Sequence, residues 1–203
     1  MPVDSQAQEA TILVNNSIFV RSFKPSPPIT LPENGGLSYY FLWHSNELKM
    51  KPERFATELA RLDCGEILDI FVENEDGMTS FANSLATKFE ASDWVLLEGP
   101  LGAGKTTFAR AVIHYFGWTQ AVRSPTFNLV HLFPTTPLIA HADLYRTPES
   151  VGTDILELFD DRLCLIEWPE PLFEIASRFT HWRLKFMIAE HGRIVNVHHY
   201  QPK

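Results

Sequence analysis

The run Gly99-Pro100-Leu101-Gly102-Ala103-Gly104-Lys105-Thr106 has the residue types and spacing of a loop that wraps a phosphate chain: glycine, four residues, glycine, lysine, threonine. Glycines at 99, 102 and 104 let the backbone take positive φ, so that consecutive N–H groups turn toward one anion. A helix starting directly after the loop adds the positive end of its dipole. Lys105 then reaches the β- and γ-phosphates, and the Thr106 hydroxyl is a ligand for Mg²⁺. The plainer alternative is a glycine-rich turn with a surface lysine. It accounts for neither the apolar run Trp94 to Leu97 before the loop nor the amphipathic stretch Thr107 to Phe116 after it.

Two further apolar runs each end in a carboxylate. Leu138 to Ala140 leads into His141-Ala142-Asp143-Leu144-Tyr145-Arg146, and Leu163 to Ile166 leads into Glu167-Trp168-Pro169-Glu170. As strands of a parallel sheet they present these acids at the edge where ligands bind. Mg²⁺ takes hard oxygen ligands and keeps several waters, so one hydroxyl and one or two carboxylates suffice. Residue type leaves open whether Asp143 or Glu167 partners Thr106, and a carboxylate at a strand end also serves as a loop cap. Ser124-Pro125-Thr126 places two hydroxyls around a proline before the apolar run Leu129 to Phe133. That segment reads equally as a switch-like loop near a γ-phosphate or as a plain turn. His198-His199 lack a third ligand at metal-binding spacing and read as an exposed strand end.

The elements that must position these residues follow from periodicity. Phe81, Leu85 and Phe89 share one face of a helix over Thr79 to Phe89, capped by Asp76 or Thr79, and the helix after the loop stops near Gly117. Ser150 to Asp161 predicts a short helix and turn. His181 to Ala189 and Arg193 to His199 flank Glu190-His191-Gly192 as an antiparallel hairpin. Residues 1–72 form an N-terminal extension ahead of a nucleotide domain over 73–203. The extension has strand-like runs at Ile12 to Val20, Leu37 to Trp43 and Ile67 to Val72, a proline-rich piece between Pro25 and Pro32, and helical spacing over Lys51 to Leu62. It reads as a small α+β appendage that packs on the nucleotide domain or binds a partner, or as the product of a start codon placed too early, ahead of Met50 or Met78.

The 203 residues suit one ordinary domain with an extension, and 45% hydrophobic residues supply a core. A formal net charge of −8 argues against a chain that holds nucleic acid by itself, since phosphate backbones need clustered Lys and Arg. Cys64 and Cys164 lie far apart without metal-ligand spacing, no run is long enough to span a membrane, and no basic residue precedes Arg21. These features lead us to expect a soluble, cytoplasmic protein.

Taken in order, GPLGAGKTTFAR, VRSPTFNLV, HADLYR and CLIEWPE resemble the TsaE (YjeE-type) ATPases of bacterial tRNA threonylcarbamoyladenosine biosynthesis, over roughly residues 76 to 200. The resemblance implies an α/β fold, a P-loop NTPase-like three-layer sandwich with a mostly parallel central sheet. It implies an ATPase that uses ATP and Mg²⁺ and works with the TsaB and TsaD proteins on N6-threonylcarbamoyladenosine beside the anticodon, with tRNA contacted only through the complex. It places Gly99, Leu101, Gly102, Ala103, Gly104, Lys105, Thr106 and Thr107 around the phosphates, and Thr106 and Glu167 on Mg²⁺. Lys105, Asp143 and Glu167 become the catalytic residues, with Asp143 near the γ-phosphate or its water. Ser124 and Thr126 form the switch-like loop, Trp168 shapes the site, and Thr79 lies near the nucleotide. Pro100 and Val151 to Asp154 depart from the family pattern, and the extension falls outside it. Two other readings of the loop are a P-loop small-molecule kinase, for which no arginine-rich lid follows it, and a non-catalytic nucleotide-gated binding module.

Overall fold

The computed structural model describes residues 40–43, 62, 67–125, 128–146 and 153–202. Its strands, in chain order, are β1 (Tyr40–Trp43), β2 (Ile67–Val72), β3 (Trp94–Glu98), β4 (Val130–Phe133), β5 (Ile139–Asp143), β6 (Leu163–Glu167), β7 (His181–Ala189) and β8 (Gly192–Tyr200). They form one 8-stranded sheet in the order β1-β2-β8-β7-β3-β6-β5-β4. The central pairs β7–β3, β3–β6 and β6–β5 are parallel, as expected from the sequence; β4–β5, β7–β8 and β2–β8 are antiparallel. The hairpin is the one anticipated, with Ala189 opposite Gly192. Strand β2, which the sequence reading assigns to the extension, pairs along its whole length with β8, and β1 adds to β2 in parallel.

Helices α1 (Glu75–Ala86) and α2 (Lys105–Tyr115) cover one face of this sheet. Short segments α3 (Thr153–Glu157), a 3₁₀ turn at Glu170–Leu172 and α4 (Phe173–Ala176) follow β5 and β6. Strand alternation sorts the core into two layers. Val95 and Leu97 of β3 meet Phe81 and Leu85 of α1, Phe108 and Val112 of α2, and Leu184 and Phe186 of β7. Trp94 and Leu96 face the other way, with Ala140, Ala142, Cys164, Ile166, Leu172 and Ala176. Strands β3, β5 and β6 are buried on both faces, hence their near-continuous apolar sequences.

Helix α1 starts earlier than its apolar periodicity suggests. Its cap is Asn74, whose Oδ1 accepts from the Gly77 N–H at 2.9 Å, and neither Asp76 nor Thr79 caps it. Asn74 is extended (φ −147°), the geometry a cap needs, whereas Thr79 already lies one turn inside and donates its hydroxyl to the Glu75 carbonyl. Helix α2 ends where expected, at Gly117 with φ +96°. The helix expected over 150–161 is confined, among the described residues, to α3. The expected strand at 12–20, the proline-rich piece, the helix over 51–62 apart from Leu62, and Thr126 lie outside the described residues.

Candidate functional site

Three consecutive sheet positions build the site. The C-terminal ends of β3, β6 and β5 lie side by side, with Leu97 opposite Glu167 and Glu167 opposite Asp143 in register. Backbone bonds continue past the strands: the Trp168 N–H donates to the Leu97 carbonyl at 3.2 Å and the Leu144 N–H to the Glu167 carbonyl at 3.0 Å. Both carboxylates are thereby set at one edge, beside the loop that leaves β3.

That loop turns sharply at Gly99, where φ is +131° and an added Cβ would stand 2.3 Å from the Phe186 carbonyl oxygen of β7. Only glycine allows the loop to lie this close to the neighbouring strand. At its far end Gly104, with φ +105°, hands over to α2, which has no side-chain cap and no acidic residue in its first turn. The leading N–H groups of such a helix call for an external acceptor, and an anion suits them.

Lys105 is buried, and its Nζ donates to the carbonyls of Gly99 at 2.7 Å and Pro100 at 2.9 Å. The ammonium also lies 4.0 Å from the centre of the Trp168 ring, a cation–π contact. Burial pulls its pKa below the ordinary lysine value, while Glu167, then Asp143 and Glu170, pull it back up. Trp168 has φ +56° and packs against Tyr145, ring centroids 4.7 Å apart. A left-handed tryptophan directly after a strand bends the chain away from the sheet and swings its ring over Lys105, at a backbone cost of about 1–2 kcal/mol.

The carboxylates have separate partners. The Thr106 hydroxyl donates to Glu167 Oε2 at 2.9 Å, and His141 Nε2 lies 2.9 Å from Glu167 Oε1. Asp143 accepts the Ser124 hydroxyl on Oδ2 at 2.9 Å and the Tyr145 N–H on Oδ1 at 3.1 Å. A cleft of about 410 Å³ opens over this edge, lined by Lys105, Thr106, Thr107, Ser124, Asp143, Glu167 and Trp168, with Leu101, Gly102 and Gly104 along the loop side. Its remaining wall comes from Asn74, Glu75 and Met78 of the α1 end and from Arg193. Thr106 and Glu167 offer the hard oxygens that Mg²⁺ takes. Among the described residues no cluster of three or more His, Cys, Asp or Glu is placed to hold a metal ion by itself.

With this geometry in place, the TsaE family model, "Threonylcarbamoyl adenosine biosynthesis protein TsaE", matches residues 72–195. The chain belongs to the TsaE family. It is similar to the tRNA threonylcarbamoyladenosine biosynthesis protein TsaE of Rickettsia felis, 41% identical over 106 residues, a match covering 50% of this chain and 62% of that protein. The TsaE of Rickettsia bellii is 38% identical over 117 residues, covering 51% of this chain and 81% of its own. That of Aquifex aeolicus is 35% identical over 105 residues, covering 50% and 77%. The crystal structure of Bacillus subtilis YdiB shares the fold, with a TM-score of 0.56 and 24% identity over 66% of this chain and 85% of that one.

The described parts of the TsaE motifs thus converge on one cleft, which Thr79, Gly99 and Ala103 do not line. Thr79 does not line it; its exposed hydroxyl bonds within α1, and it borders a separate groove with Asn83, Arg110 and Tyr115. Ala103 is fully buried beneath the loop, its N–H donating to the Pro100 carbonyl, and Thr126 lies outside the described residues. Gly99 serves through its carbonyl and its close approach to β7. His141, Arg193 and the α1-end residues Asn74, Glu75 and Met78 had no site role in the sequence reading. His141 sits in HADLYR two positions before Asp143, a period-2 spacing that puts both on one face of a strand. Arg193 follows the glycine that opens β8, and Asn74 precedes α1; nothing local in the sequence brings either to the loop. His198 and His199, expected on an exposed end, are half-buried in β8, with His199 stacked on Trp182 at 4.1 Å.

Proposed function

We propose that this chain binds ATP with Mg²⁺ in the cleft and hydrolyses it to ADP and phosphate, as the ATPase subunit acting with TsaB and TsaD in forming N6-threonylcarbamoyladenosine on tRNA. The observation that carries the reading is the 2.9 Å hydrogen bond from Thr106 to Glu167, which joins the helix after the phosphate loop to the carboxylate ending the neighbouring strand. A hydroxyl and a carboxylate so joined, next to a buried lysine, are what an NTP–Mg²⁺ complex requires. The names of the Rickettsia and Aquifex relatives support the place in tRNA modification.

In this reading the loop N–H groups and Lys105 hold the phosphate chain, the ammonium exchanging loop carbonyls for phosphate oxygens. Mg²⁺, held through Thr106 and Glu167, supplies charge neutralisation across the phosphate oxygens. Asp143, steadied by Ser124, orients the attacking water; the water oxygen bonds to the γ-phosphorus as the bond to the bridging oxygen breaks, the water's proton passes to an oxygen of the released phosphate, and ADP leaves. Trp168 closes over Lys105 and limits water there. A net charge of −8 favours tRNA contact through partners rather than through this chain.

The test is ATP hydrolysis by the purified chain, alone and with TsaB and TsaD of the same organism, beside Lys105→Ala. Slow turnover that the partners stimulate and the Lys105 variant lacks is the expected result. ATP bound without hydrolysis in either condition would replace the ATPase by a nucleotide-gated binding module, and phosphate appearing on an added nucleoside or sugar would make it a kinase.

A further inference from the structure

Glu167 uses both carboxylate oxygens. Oε2 receives the Thr106 hydroxyl from α2, and Oε1 faces His141 Nε2 from β5. His141 is fully buried, and its Nδ1 has no hydrogen-bond partner among the described residues. A carboxylate oxygen accepts and does not donate, so Nε2 carries a ring hydrogen toward Glu167, while Nδ1 meets no partner among the described residues. A fully buried ring that satisfies one nitrogen and leaves the other unmet is costly to keep for packing alone. A leucine or phenylalanine would fill the layer without that cost.

We propose that His141 is a positioning residue for the cation site, acting through Glu167 on Thr106. The terminal torsion of a glutamate is soft, with broad two-fold preferences, and one hydrogen bond leaves the carboxylate free to swing about that contact. Two donors on two elements fix its plane. With the Thr106 hydrogen committed to Oε2, the lone pairs of that hydroxyl point in one direction, where they can ligate a cation beside the phosphate loop. His141 therefore sets the lone-pair direction of a residue that it does not touch. The inference rests on the proposed use of Thr106 and Glu167 for Mg²⁺.

The experiment uses the full chain saturated with a non-hydrolysable ATP analogue, with Mn²⁺ affinity read by electron paramagnetic resonance and analogue affinity read by calorimetry in chelator. Substitutions of residues that orient metal ligands lower metal affinity about 10–100-fold. His141→Leu is expected to lose Mn²⁺ affinity by at least about tenfold, with metal-free analogue binding within about twofold of wild type. His141→Gln, whose amide N–H reaches the same place, restores most of it, and His141→Asn, a shorter amide, does not. If His141→Leu fails to fold, the Gln and Asn pair decides. Wild-type Mn²⁺ affinity in the Leu or Asn variant overturns the proposal, as does an equal fall in metal-free analogue binding, which marks a merely structural role. Glu167→Ala separates the two levels. If it keeps wild-type Mn²⁺ affinity, the metal reading itself falls; if it loses that affinity while His141→Leu does not, only the role of His141 falls.

Discussion

Alanine at position 99 tests how closely the phosphate loop lies on the sheet. The added Cβ would stand 2.3 Å from the Phe186 carbonyl oxygen, 3.1 Å from the Phe186 Cβ and 3.2 Å from its carbonyl carbon, in a backbone with φ +131°. The nearest atom belongs to the main chain of a strand paired on both sides, so it cannot yield as the tip of a side chain would. The left-handed backbone alone costs about 1–2 kcal/mol for an L-residue. Overpacking a filled region adds about 1–3 kcal/mol, giving a total of about 2–5 kcal/mol. Gly102→Ala is the internal control: φ is +76°, yet nothing lies within 4 Å of its Cβ, so only the backbone cost applies. At about 2–4 °C per kcal/mol for a domain of this size, Gly99→Ala should lower Tm by about 10 °C and Gly102→Ala by about 4 °C. Differential scanning calorimetry of both variants checks this. Equal shifts would mean that β7 does not press on the loop, and the account of why residue 99 is glycine would be wrong.

Further outcomes follow from other parts of the site and sheet. Asn74→Ala removes the side-chain cap of α1 and should cost about 1 kcal/mol, read as a lower urea midpoint at unchanged m-value. Arg193 lines the cleft, with Nη2 3.4 Å from the Gly102 carbonyl oxygen; losing one charge-assisted contact of about 1.5 kcal/mol, Arg193→Ala should weaken nucleotide binding about tenfold by calorimetry while Tm stays nearly constant. Burial holds the pKa of His181 below the ordinary 6.5 despite its bond to the Phe179 carbonyl, and burial, with His181 and Arg183 nearby, does the same to His198. The unfolded chain therefore binds more protons at these sites just below pH 6.5, so their contribution is full above about that value and is lost as pH falls through the folded pKa values. Urea midpoints between about pH 7 and pH 5 should fall less steeply for His181→Gln than for wild type, and parallel slopes would remove His181 from the acid limb.

The nucleotide half of the fold was legible because its signals are local. The loop glycines, the apolar runs of β3, β5 and β6 and each strand of the β7–β8 hairpin lie within about a dozen residues, the range over which periodicity works. The two carboxylates were placed at strand ends by the same means. Which of them meets Thr106 needed the register, which sets that partner across a gap of 61 residues. Asn74 was missed because Asp76 and Thr79 are equally good capping types, and only backbone conformation separates them. Arg193 and His141 were missed for a different reason. An arginine at a strand start carries no local signal, and the period-2 spacing of His141 and Asp143 gives a shared face but no partner, until the sheet order sets one beside Gly102 and the other against Glu167. The pairing of β2, which the sequence reading puts in the extension, carried no local signal, since its partner β8 is more than a hundred residues away in the chain.

Main-chain bonds, not side chains, hold Asp143 level with Glu167: they are opposed in a parallel ladder that runs on through the Leu144 N–H. Such a ladder tolerates drift unevenly. Apolar residues upstream in β5 and β6 can exchange among Val, Ile, Leu, Ala and Cys without moving one acid relative to the other, as long as volume is kept. Adding or deleting a single residue in either strand would turn its acid to the opposite face of the sheet. Over long divergence the spacing from His141 to Asp143 and the length of the run before Glu167 should therefore hold firm, while the identities of the residues between them wander.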